Sequence, residues 1–159
     1  MLKAAGTHRA PTGVNEETVM DDLERARRRG FGNRVGFGAK PALLVVDFTC
    51  GFTSPTTDLG AAMDAEIAQA NRLILASRAI GAPVYLSTIA YDVPSRDAGV
   101  WIDKIQGLRD LVRGSASVEQ DPRLARDETD RIVVKRFASC FFGTMLADDL
   151  RREGVDTLV

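Results

Sequence analysis

Histidine is almost absent from this sequence: the single one in 159 residues, His8, lies in an amino-terminal stretch of Gly, Pro and Thr without periodicity. Serine and cysteine triads normally take histidine as their base, so histidine-dependent catalysis is disfavoured. Metal hydrolysis has no better support, because there is no H-E-x-x-H, no Asp-x-His cluster and no Cys/His set. Cysteine is scarce too. Cys50 and Cys140 fit no zinc spacing and read as free thiols in a reducing compartment. Charge bias is missing, with 21 Lys plus Arg against 22 Asp plus Glu, which removes the electrostatic case for a nucleic-acid or anionic-membrane partner. The opening MLKAAGTHRAPTG lacks the apolar core of a secretory signal, and no apolar run approaches the roughly 20 residues of a membrane span. The expectation is a cytoplasmic protein.

What is present is a globular composition, 45% hydrophobic and 27% charged, in a chain of one domain's length. Residues 1–30 read as an arm and a helix, and residues 31–159 as the main domain. Asn15 suits an N-cap, Glu16 and Glu17 suit the first turn, Arg27 to Arg29 the last, and Gly30 a stop. The glycine-rich GFGNRVGFG precedes a strand instead of following one, so it is a surface connection and not a dinucleotide fingerprint.

Three apolar runs read as strands: Ala42 to Val46, Val84 to Ile89, and Ile132 to Val134. Their β-branched residues without polar alternation suit a parallel sheet covered on both faces. Between the first two, Ala61 to Ile80 is a helix by pattern, with Ile67, Ala70, Leu73, Ile74 and Ile80 on one side. Strand, helix and strand make a βαβ unit with a right-handed crossover. Asp97 to Val112 is at least partly helical, residues 114–130 form a polar connection, and Thr144 caps a last helix that Gly154 ends. The closing VDTLV reads as a buried strand cut in mid-run, which predicts a domain truncated at its carboxyl terminus.

Two of these strands deliver charge to one sheet edge. The first runs into Asp47 and the third ends in Lys135, at the carboxyl ends of strands where open α/β sheets bind ligands. By themselves the residues fit a structural ion pair as well as a catalytic one. Cys50 and Cys140 are close in sequence to Asp47 and Lys135, but neither occupies a strand-to-helix turn. Both therefore read as loop-packing residues before nucleophiles.

The segments LLVVDFTCGFT and VVKRFASCFFGTMLADDLRREGVDTLV, at this separation, resemble the isochorismatase-like cysteine hydrolases, and within them the N-carbamoylsarcosine and maleamate amidase branch. The resemblance spans residues 30–159. It implies a three-layer α/β/α sandwich with a mostly parallel sheet, a homodimer or homotetramer, and a triad of Asp, Lys and Cys. Asp47 and Lys135 match the first two. The nucleophilic cysteine falls beyond residue 159, and Cys140 stands where the family usually has alanine, so the chain alone is expected to be inactive. The implied reaction releases ammonia from a small carbamoyl or carboxamide substrate through a thioester, with no cofactor and no metal. Phe52 and Phe141 match aromatic positions of the family motifs, and Tyr91 and Trp101 lie on plausible rim segments. All four are candidate substrate contacts, with core or interface packing as the plainer alternative. An isochorismatase-type ether hydrolase, a nicotinamidase and a non-catalytic binding homologue stay open.

Overall fold

Apolar runs too long to alternate with polar residues must be covered on two sides, and the chain folds accordingly into a layered sheet. The computed structural model describes residues 16–34 and 36–159, and divides between Gly36 and Phe37 into two units. In the first, helix α1 (Glu16–Arg28) carries the ion pairs Arg25 to Asp21 at 3.2 Å and Arg28 to Glu24 at 3.1 Å, both one helical turn apart. It ends at Gly30, whose φ of 84° lets the Gly30 N–H reach Arg27 O and the Phe31 N–H reach Ala26 O. Asn15, the expected cap, lies outside the described residues.

The second unit runs β1 (Pro41–Val45), α2 (Cys50–Thr53), α3 (Asp64–Ala79), β2 (Val84–Ile89), α4 (Pro94–Asp97), α5 (Trp101–Lys104), two 3-10 turns (Gln106–Asp110 and Ala116–Val118), β3 (Arg131–Lys135), α6 (Leu146–Arg152) and β4 (Thr157–Leu158). The strands form one parallel sheet in the order β3-β2-β1-β4. Strand alternation sends Leu43, Val45, Val84 and Leu86 to one face, where Ile67, Ala70 and Ile74 of α3 cover them. Ala42, Tyr85 and Val133 point to the other face, against Cys140 and the α6 residues Leu146 and Leu150. The expected three layers are present. No described helix is long and apolar enough to cross a membrane.

Three expectations need correction. Ile132 and Val134 are 44% and 41% exposed, because β3 is an edge strand: α6 covers Val133 on one face, while α3 sits over β1 and β2 and leaves the other face of β3 open. Strand β4 is only half-buried, since it too is outermost and pairs with β1 alone among the described residues. On α3, Leu73 is exposed; at about 100° per residue it sits a quarter-turn off the line through Ile67, Ala70 and Ile74. Ile80, 70% exposed, lies past the helix end.

Candidate active site

Parallel pairing fixes where the charged residues meet. Val45 is in register with Leu86, and Ile89 with Lys135, so Asp47 and Lys135 flank the carboxyl end of β2 from its two sides. Strict alternation would send Asp47 to the α3 face with Leu43 and Val45, away from the face that Val133 and Lys135 share. The backbone breaks that alternation. Asp47 has a φ of 60°, alone among the described non-glycine residues in the left-handed region, which aspartate tolerates better than most residues.

The result is a closed set of contacts. Lys135 Nζ donates to Asp47 Oδ2 at 2.9 Å and to Ala138 O at 2.8 Å. The lysine side chain is 1% exposed and the aspartate side chain 21%. On the other carboxylate oxygen, Ser87 Oγ donates to Asp47 Oδ1 at 2.7 Å, and the same oxygen accepts the Asp47 N–H at 3.1 Å. Gln120 Nε2 in turn donates to Ser87 O at 3.1 Å. An ammonium offers three protons, so two acceptors leave Lys135 one more to give.

Beyond β2 the chain builds a cap from short helices around Ile89, Tyr91, Ile102, Leu108, Leu111 and Val118. Phe52 and Trp101, both partly buried, pack against it. Tyr91 is fully enclosed, and its hydroxyl has no partner among the described residues. Burial first, and then the charge of Asp47, raise its pKa above the usual phenol range. Three of the four aromatic candidates therefore share one cluster. Phe141 lies apart, 48% exposed, on the loop whose Ala138 carbonyl holds Lys135.

Both cysteines are free. The Cys50 thiol is pushed up by burial and then by the nearby charge of Asp121, which keeps it protonated and poorly nucleophilic. Cys140 is buried against α6. The connection 114–130 is less polar in position than in composition. Asp121 accepts from Thr53 Oγ1 at 2.5 Å and from Arg123 Nη2 at 2.6 Å, while Arg123 also donates to Thr53 O at 3.1 Å, which ties the segment to α2.

Ser87 and Gln120 were not among the residues the sequence singled out. The available signal was a serine in VYLSTI, a strand otherwise apolar in its first half and buried at every position. A cleft of about 770 Å³ opens at the opposite, amino end of the strands. Two of its cations are paired, Arg78 with Asp130 at 2.6 Å and Arg131 with Glu153.

Comparison with known proteins identifies the family. Residues 41–159 match the isochorismatase domain. The chain is 37% identical to a maleamate amidohydrolase of Pseudomonas putida over 145 residues, 88% of this chain and 68% of that protein. It is 33% identical to an N-carbamoylsarcosine amidase of an Arthrobacter species over 152 residues, 92% of this chain and 57% of that protein. A crystal structure of a cysteine hydrolase from Pseudomonas syringae pv. phaseolicola superposes with a TM-score of 0.68 at 32% identity, covering 75% of this chain and 57% of that one. The chain thus spans between a little over half and about two thirds of the length of these relatives. With the family match covering the whole sheet and both charged residues of the pair, the chain belongs to the isochorismatase-like hydrolase family.

Proposed function

We propose that this chain supplies the acid–base half of a cysteine amidohydrolase acting on a small linear carboxamide or carbamoyl compound, of the maleamate or N-carbamoylsarcosine type. The observation that carries this reading is the Asp47 to Lys135 contact at 2.9 Å, with the ammonium enclosed at a strand's carboxyl end. Membership in a family with amidases among its members supplies the reaction class.

The nucleophile in this reading is a cysteine of the segment that follows β4. Strand β4 runs parallel to β1, with the Val159 N–H on Ala42 O at 2.9 Å, and Leu158 is in register with Ala42. Continued by the five residues that separate 42 from 47, that strand draws level with Asp47. A thiol arriving there gives its proton to Asp47, and the third proton of Lys135 steadies the thiolate. Attack on the amide carbonyl forms the C–S bond. As the C–N bond breaks, Asp47 returns the proton to the leaving nitrogen and ammonia departs. Water, deprotonated by Asp47, then cleaves the thioester to the acid and the free thiol. Phe52 and Trp101 wall the substrate on the β2 side and Phe141 on the Lys135 side, whereas Tyr91, 0% exposed, packs behind Phe52 and Trp101 as core and is not a rim contact. The 159-residue chain by itself is inactive in this scheme, and the active particle is a homodimer or homotetramer.

The test is ammonia release by the protein extended through the downstream segment, with maleamate, N-carbamoylsarcosine and nicotinamide. Release that Asp47→Asn abolishes supports the reading. A well-folded extended protein that releases none from any of the three contradicts it and leaves a binding homologue.

A further inference from the structure

We infer that Ser87 is a positioning residue for the catalytic carboxylate, holding Asp47 in its left-handed backbone conformation and fixing which carboxylate oxygen meets Lys135. The inference rests on the proposed role of Asp47 and adds to it a residue that touches neither substrate nor thiol.

One hydroxyl makes both contacts. Ser87 Oγ accepts the Asp47 N–H at 3.1 Å and gives its only proton to Asp47 Oδ1 at 2.7 Å. Backbone and side chain of Asp47 are thereby tied to one atom, which leaves Oδ2 to Lys135 Nζ at 2.9 Å. A φ of 60° in a non-glycine residue costs free energy. It persists where surrounding contacts over-determine it. Ser87 is placed to do so, because it is 0% exposed in the middle of the sheet and its own carbonyl is held by Gln120 Nε2 at 3.1 Å. That burial shields the hydroxyl from bulk solvent. Without it, the Asp47 N–H loses its acceptor and the residue is free to return to the alternation that points it toward α3.

The consequence is geometric and not a matter of binding affinity. Displacement of a base by about an ångström costs roughly a hundredfold in rate. Ser87→Ala in the extended protein is therefore expected to lower kcat by about ten- to a hundredfold with KM within about twofold, whereas Ser87→Thr, which keeps a hydroxyl, retains most of kcat. A crystal structure of Ser87→Ala should show Asp47 out of the positive φ region and its carboxylate beyond hydrogen-bond reach of Lys135. Wild-type kcat in Ser87→Ala, or an unmoved Asp47, overturns the inference. So does a fall in KM performance alone. Should Ser87→Ala not fold, Ser87→Cys, close in size with only a weak S–H donor, answers the same question by the same two readouts. If the unsubstituted protein releases no ammonia, the proposed activity fails, and the position of Asp47 in the variant crystal still decides the role of Ser87.

Discussion

Removing one charge at a time from the Asp47 to Lys135 pair should give unequal losses of stability. Asp47→Asn keeps the shape, tolerates the left-handed φ, and deletes only the negative charge. It leaves an ammonium that is 1% exposed with neutral acceptors alone. Stranding one member of a buried pair costs about 3–5 kcal/mol, and the retained amide oxygen places this variant at the low end, about 3 kcal/mol. Lys135→Met deletes the better-buried ion and leaves a carboxylate that is 21% exposed and still hydrogen-bonded by Ser87. That loss should be about 1–2 kcal/mol. The double variant strands no charge and should be more stable than Asp47→Asn alone, with a coupling of about 2 kcal/mol. Equilibrium urea denaturation of the four proteins, with unchanged m-values, reads these numbers directly. A larger loss for Lys135→Met than for Asp47→Asn, or plain additivity, would refute the account of the pair.

Two further outcomes follow from the same geometry. Tyr91→Phe removes a fully buried hydroxyl that has no partner, so thermal stability should hold or rise by up to about 1 kcal/mol, and a marked loss would show that the hydroxyl is paired in the folded protein. Asp121 is held well below the usual carboxylate range, chiefly by Arg123 and then by Thr53 and the Arg123 N–H. A depressed folded pKa contributes stability that is present above the unfolded value of about 3.9 and is lost as pH falls toward the folded one. Stability followed by circular dichroism should therefore decline below about pH 4 more steeply in the wild type than in Asp121→Asn, and parallel curves would contradict the assignment.

The strands were legible because fully buried parallel strands announce themselves. VYLSTI is β2 with the expected ends, and ALLVV and IVVK place Asp47 and Lys135 at one sheet edge by sequence alone. What covers a strand was not legible. The valines and isoleucines of β3 look the same whether a helix lies over both faces or one, so the exposure of Ile132 and Val134 depended on the reach of α3. Residues 97–112, expected to be at least partly helical, hold only the short α5 and a 3-10 turn, in keeping with Gly99 at a φ of 57° and with Gly107, where a Cβ would meet Leu59. Ser87 was hidden for a different reason. Its importance arises from a residue forty positions earlier adopting a positive φ, and neither residue type signals that conformation by itself.

In the proposed reaction, Asp47 and Lys135 activate a thiol delivered by the chain after β4. Iodoacetamide labelling of the extended protein at neutral pH, followed by peptide mapping, tests it most directly. The expected result is fast labelling of one cysteine beyond residue 159, slowed in Asp47→Asn and in Lys135→Met, while Cys50 and Cys140 react slowly. Fast labelling of Cys50, or a downstream cysteine whose rate ignores both substitutions, would contradict it.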